Sequence, residues 1–153
     1  MAIDAGTTAP GFTLKDQDGT EVSLADFAGD KAVALVFYPF TFTGVCEGEL
    51  CQLQDDIAEY ETAGVQVIAV SCDSRFSQKV WADAKGYTFP LLADHWPHGA
   101  VAQAYGVFNE AVGCANRATF LIGPDGTVVD AFTTDNLGTA REKDRYAEAL
   151  AKL

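Results

Sequence analysis

No Cys-x-x-Cys, no Cys/His cluster at zinc-ligand spacing and no glycine-rich phosphate loop occur in this chain of 153 residues. The first two absences argue against a metal centre and a dithiol of the Cys-x-x-Cys type, and the third against a nucleotide. No metal, haem, flavin or other cofactor is implied. The first residues, Met1 to Gly6, have no basic stretch followed by an apolar one, so no secretory leader is expected. The longest apolar run, Ala32 to Phe40, falls far short of the ~20 residues that span a bilayer. Basic residues are also scarce: 10 Lys+Arg against 22 Asp+Glu leave a formal charge of -12. Nucleic acid and anionic membrane both need a basic face and are disfavoured as partners. A cytoplasmic location is expected, with small molecules or other proteins as partners.

With 48% hydrophobic residues, the chain reads as a single domain over 1–153. A chain of this length buries roughly two-thirds of its unfolded surface. Such a core needs no staples. Cys46, Cys51, Cys72 and Cys114 are therefore expected as free thiols in a reducing compartment.

Two stretches, Ala32-Val33-Ala34-Leu35-Val36-Phe37 and Val65-Gln66-Val67-Ile68-Ala69-Val70, are almost continuously apolar, as strands covered on both faces are. A helix-length segment separates them, so residues 32–71 read as a βαβ unit. Ser74 to Lys85 reads as an amphipathic helix stopped by Gly86, with Phe76, Val80 and Ala84 four residues apart. Gly123-Pro124-Asp125-Gly126 predicts a turn joining residues 118–122 and 127–132 as an antiparallel hairpin. Thr139-Ala140-Arg141-Glu142 has capping-box spacing and predicts a closing helix with Tyr146, Ala149, Leu150 and Leu153 on one face. Residues 12–14 and 21–23 around Asp18-Gly19 predict a small hairpin over a sheet edge. The sum is an α/β fold with a mixed central sheet and helices on both faces, for which the thioredoxin-like arrangement is the simplest match.

Chemistry concentrates where the first central strand ends. Pro39 stops that strand, Thr43 or Gly44 begins the next helix, and Cys46 falls in its first turn. On a helical wheel Leu50, Leu53, Ile57 and Tyr60 lie within about 40° of Cys46, so the sulfur points along the buried face. Unpaired amides and the helix dipole favour a thiolate there, the nucleophilic form. Glu47 and Glu49 oppose it, so an offsetting arginine is expected nearby. From position alone Cys46 is equally readable as a small buried core residue.

Pro39, Thr43 and Cys46 reproduce the P-x-x-x-T-x-x-C pattern of peroxiredoxins, and the whole chain resembles that family. Within it the chain is most similar to the alkyl hydroperoxide reductase E group, through Phe37 to Cys46, Thr88 to Leu92, Trp96 to Val101, Ala104 to Glu110 and Ala115 to Phe120. The resemblance implies a thiol-dependent peroxidase. Cys46 would be the peroxidatic cysteine, Thr43 would offer its hydroxyl to thiolate and peroxide, Pro39 would shield the site, and Arg117 would complete the pocket. Glu49 would help hold that arginine. Donors aimed at the departing oxygen would stabilise the transition state more than the ground state. The apolar surroundings Phe40, Phe42 and Val45 would admit an alkyl tail. Hydrogen peroxide, alkyl hydroperoxides and peroxynitrite are the candidate substrates.

Turnover needs a thiol to condense with the resulting sulfenic acid before further oxidation. Cys51, five residues on, has the spacing of the resolving cysteine in the related bacterioferritin-comigratory (PrxQ) peroxiredoxins, whereas alkyl hydroperoxide reductase E chains often lack it. Positions i and i+5 on a helix are separated by ~7.5 Å of rise and point about 140° apart, so a Cys46–Cys51 bridge requires unwinding, which Gly48 eases. The alternatives are Cys114 and an external thiol; thioredoxin, a glutaredoxin-like protein (mycoredoxin) or a low-molecular-weight thiol would serve as reductant. Cys72, His95 and His98 read as structural. The resemblance also implies a homodimer, with the aromatic loop from Trp96 to Phe108 as a contact. A thiol-disulfide exchange protein or peroxide sensor of the same fold is the alternative function.

Overall fold

The computed structural model describes residues 1–153. The chain opens with the hairpin strands β1 (Thr13–Lys15) and β2 (Glu21–Ser23). Then come β3 (Ala32–Phe37), α1 (Gly44–Asp55), α2 (Ile57–Thr62), β4 (Val65–Ser71), α3 (Arg75–Lys85), β5 (Leu91–Ala93) and α4 (Ala100–Ala104). The short strands β6 (Phe108–Asn109) and β7 (Cys114–Ala115), then β8 (Ala118–Ile122), β9 (Val128–Thr133) and α5 (Lys143–Leu150), complete it.

The central sheet has the order β5-β4-β3-β8-β9. Strands β5, β4 and β3 are parallel, while β8 runs antiparallel to β3 and β9 antiparallel to β8. Along β3, Ala32, Ala34 and Val36 enter one core while Val33, Leu35 and Phe37 enter the other. Side chains that alternate into two cores leave no position for a polar residue, which is why this strand reads as a continuous apolar run. Leu50, Leu53, Tyr60, Trp81 and Ala149 from helices α1, α2, α3 and α5 fill the first core. Phe12, Ala102, Tyr105 and Val107, from the N-terminal segment, α4 and the loop after it, fill the second. The fold is the α/β thioredoxin-like arrangement with a mixed sheet. The hairpin covers the β5 edge, where the Gln17 side chain donates to the Phe89 carbonyl and accepts from the Leu91 amide.

Three local expectations change. The helix bearing Cys46 does not run unbroken to Tyr60: at Asp56 the backbone turns to φ -95 and ψ 6, and α2 starts anew, leaving Ile57 only partly buried. Helix α3 has the expected ends, with the Ser74 side chain accepting from the Ser77 amide and Gly86 at φ 74. Its buried residues, however, are Gln78, Trp81 and Ala82, while Phe76 and Val80 stand exposed. Finally, α5 begins at Lys143 rather than at the Thr139 box, with no side-chain cap. The Thr139 hydroxyl donates to Asn136 instead, and the Arg141 side chain is drawn into the interior. That burial holds the adjoining backbone out of a helix, with Glu142 extended at φ -70 and ψ 135.

Candidate active site

The sheet register builds the site. Because Phe37 stands opposite Ala118, the residue just before β8, Arg117, lies beside the exit of β3. The buried Pro39 begins the loop that leads to α1. Within this loop Phe42 has φ 68, the one non-glycine residue with a positive value. Thr43 is the N-cap residue, extended at φ -105 and ψ 148, and its hydroxyl donates to the Phe40 carbonyl at 2.6 Å.

In the first turn of α1 the Cys46 sulfur is fully buried. Arg117 Nη1 donates to Cys46 Sγ at 3.2 Å and to Glu49 Oε1 at 2.6 Å. Glu49 reaches the same guanidinium because residues three apart share a helix face. The Arg117 Nε donates to the Leu137 carbonyl at 2.6 Å, which fixes the plane of the group. Glu49 is itself held from behind. Arg141 donates to Glu49 Oε2 from its amide at 2.8 Å and from Nε at 2.9 Å, and to Oε1 from Nη2 at 2.9 Å. Its remaining nitrogen, Nη1, donates to the carbonyls of Phe37 at 2.7 Å and Ala118 at 2.9 Å.

Behind the Cys46 sulfur, Arg117, Glu49 and Arg141 thus alternate as cation, anion and cation. Burial alone would raise the Glu49 pKa, but the Arg141 hydrogen bonds and charge, with Arg117 adding to them, hold it below the ordinary value. Such a row tolerates burial because each charge has hydrogen-bonded partners; removing one member strands the next. The structure therefore brings Cys46, Arg117 and Glu49 together, with Pro39 and Thr43 on the adjoining loop and Val45 half-buried beside the sulfur's turn. Glu47 faces away from the sulfur and pairs with Lys85 at 2.8 Å.

The remaining thiols differ. Cys51 is half-buried, 3.5 Å from the Tyr87 hydroxyl. Cys72 is pushed up to about 12, by burial first and then by the charge of Asp94. Cys114 is raised chiefly by burial, with the neighbouring Cys46 charge next. All four cysteines are free. His95 and His98 meet the backbone carbonyls of Cys72 and Gly113.

Sequence reasoning missed Arg141, which sits in what looks like a helix cap and acts across 92 residues on Glu49. It also missed Asp73, whose carboxylate accepts the Thr41 amide at 2.8 Å. Neither has a local signature; the one clue was the surplus of acid around Cys46, which calls for more than one cation.

The AhpC/TSA family pattern matches residues 5–131. The chain is 46% identical over 151 residues to alkyl hydroperoxide reductase E of Mycobacterium tuberculosis, covering 99% of this chain and 98% of that one. Among solved structures it resembles peroxidoxin BcpB of Mycobacterium tuberculosis, with TM-score 0.87 and 29% identity over 98% of this chain and 96% of the other. It also resembles AhpC of Enterococcus faecalis, with TM-score 0.87 and 32% identity over 99% and 92% of the two chains.

Proposed function

The chain belongs to the AhpC/TSA family of peroxiredoxins and is a thiol-dependent peroxidase, and we propose that its reaction runs through Cys46 as one domain spanning the whole chain. In this reading the Cys46 thiolate attacks the terminal oxygen of a hydroperoxide. The O–O bond breaks, sulfur loses an electron pair to become a sulfenic acid, and the departing alkoxide or hydroxide takes up a proton and leaves as alcohol or water. The observation that carries it is the Arg117 guanidinium, 3.2 Å from the sulfur and pinned by Glu49 at 2.6 Å. A cation fixed in a dry site stabilises the thiolate and the developing oxyanion without having to reorganise during the reaction. Thr43, at the mouth of the helix, has its hydroxyl proton on the Phe40 carbonyl and presents its oxygen to accept from the bound peroxide, and Pro39 keeps water from the sulfur.

The sulfenic acid then condenses with a second thiol, releasing water and forming a disulfide. Cys51 is our candidate for that thiol. It lies on the same helix, and Gly48 between the two cysteines lowers the cost of unwinding by about 1 kcal/mol relative to alanine. An external dithiol then exchanges with the bridge and carries away the oxidising equivalents. Thioredoxin, a glutaredoxin-like protein or a low-molecular-weight thiol meets this requirement, in the reducing cytoplasm where four free thiols persist. Phe40 and Phe42 are exposed at the loop and offer an apolar approach to an alkyl hydroperoxide.

We further read the protein as a homodimer. Phe42, Phe76, Val80 and Trp96 are 59%, 67%, 61% and 83% exposed. Phe76 and Val80, four residues apart, share one face of α3, and Phe76 and Trp96 line one cleft, so these three form an apolar patch that favours coverage by a second copy.

Peroxide consumption with a generic dithiol, wild type against Cys46→Ser, tests the assignment: the variant is expected to be inactive, and full turnover by it refutes the role of Cys46. Intact-mass analysis after one equivalent of peroxide, followed by disulfide mapping, tests the second step. A Cys46–Cys51 bridge is expected, and an intact Cys51 thiol beside a mixed disulfide on Cys46 removes Cys51 from it. Sedimentation of wild type and Phe76→Asp checks the dimer, which the charge should split.

A further inference from the structure

The loop from Pro39 to Thr43 holds a residue that resists its shape. A side chain at φ 68, as Phe42 has, is disfavoured by contact between its β-carbon and the backbone, so the conformation persists only where neighbours impose it. Two restraints come from nearby residues: the Thr43 hydroxyl donates to Phe40, and the Tyr38 and Thr41 hydroxyls are 3.0 Å apart. The third comes from another strand. Asp73, just beyond the end of β4, accepts the Thr41 amide at 2.8 Å and the Ser71 hydroxyl at 2.6 Å, both on Oδ2. Ser71 is in turn fixed by Gln78, whose side-chain amide donates to it at 3.0 Å and to the Leu92 carbonyl at 2.9 Å. Gln78 is fully buried on α3. An unbroken chain of hydrogen bonds therefore ties β5, α3 and the end of β4 to one amide of the loop.

We propose that Asp73 is a positioning residue for the peroxide step: through the Thr41 amide it holds the Pro39–Thr43 loop in the shape that sets the Thr43 hydroxyl and the first turn of α1 around Cys46. Asp73 acts through the loop and touches no reacting atom. The proposal rests on Cys46 being the attacking sulfur. Charge alone gives the opposite sign, since a carboxylate near a thiol disfavours the thiolate. Asp73 is among the groups that act this way on Cys72 and Cys114. A slower reaction after loss of this carboxylate therefore reports lost geometry rather than lost charge. Because both hydrogen bonds fall on a single oxygen, the side-chain oxygen of asparagine can replace it.

The test is the single-turnover oxidation rate of Cys46 by hydrogen peroxide, followed by tryptophan fluorescence, with thermal unfolding as the check on folding. Misplacement of a reacting group by about 1 Å costs on the order of a hundredfold in rate, so Asp73→Ala is expected to be slower by about 10- to 100-fold. Asp73→Asn should stay within about threefold of wild type, because it preserves both bonds. Phe42→Gly in the Asp73→Ala background should recover about threefold or more, since glycine adopts a positive φ freely. An Asp73→Ala rate within threefold of wild type, or Asp73→Asn as slow as Asp73→Ala, overturns the proposal. If Asp73→Ala does not fold, Asp73→Glu decides. It keeps the charge but displaces the carboxylate by one methylene, so a rate about tenfold lower is expected, and an unchanged rate overturns the role. Cys46→Ser run in parallel separates the two readings: turnover by that variant refutes the site itself, whereas an inert Cys46→Ser beside a fast Asp73→Ala refutes only the clamp.

Discussion

Cys46 and Cys72 are buried almost equally, at 0% and 6% exposure, and both lie beyond the exits of neighbouring parallel strands. Their surroundings are opposite. Cys46 faces the fixed guanidinium of Arg117, whereas Cys72, pushed upward by burial, has the carboxylates of Asp94 and Asp73 as its charged neighbours. Burial by itself makes a thiol inert, because the thiolate loses its hydration and gains nothing in return. On the proposed reading a buried thiol becomes a reagent when the fold also supplies a cation, and at Cys46 that cation is Arg117, held by Glu49, which Arg141 holds in turn.

The strongest way to break this contrast is to exchange the two sulfurs' fates. Cys46→Ser should lower peroxide turnover by more than about a thousandfold, as expected on removing a nucleophile. A smaller drop would show that another of the free thiols carries the reaction. Next in size, Arg117→Met should slow single-turnover oxidation by roughly a hundredfold, the usual cost of one preorganised donor. Substitution of Glu49 by Gln acts a step further back. It leaves two buried arginines without their shared counter-charge, and urea unfolding should register a loss of roughly 3–5 kcal/mol. The sign of its pH dependence follows from the lowered pKa. The Glu49 contribution is fully present above the ordinary carboxylate value of 4.5 and is lost as pH falls below it toward the depressed folded value. Acid titration of stability should therefore be flatter in Glu49→Gln than in wild type. At the small end, Cys72→Ala should change the oxidation rate by less than about twofold, since its thiol takes no part.

Much of the framework was legible in the chain. The unbroken apolar runs around Leu35 and Ile68 betrayed strands covered on both sides, and Gly123-Pro124-Asp125-Gly126 marked the β8–β9 hairpin. Pro39, Thr43 and Cys46 were readable because a strand end, a helix cap and a first turn are local events with local signals. What failed was non-local. The stripe of Phe76 and Val80 obeys helical periodicity but leaves its face bare, because periodicity says which residues share a face and not which face the sheet covers. The spacing from Thr139 to Glu142 mimicked a cap, yet Arg141 gains more by reaching Glu49 and the carbonyls of Phe37 and Ala118 than by starting a helix. Asp73 meets Thr41 across 32 residues, through a backbone amide that no side-chain pattern announces.

Arg141 also bears on how the molecule comes into being. It lies past the last residue of the shared family pattern, yet it knots the ends of β3 and β8 to Glu49. A ribosome releases the N-terminal side first, so the strand, the loop and the sulfur emerge well before their final fastening. The surroundings of Cys46 are thus fastened only after the strand, loop and sulfur have emerged, and a polypeptide ending at Phe132 would carry the recognisable signature without the bolt that secures it.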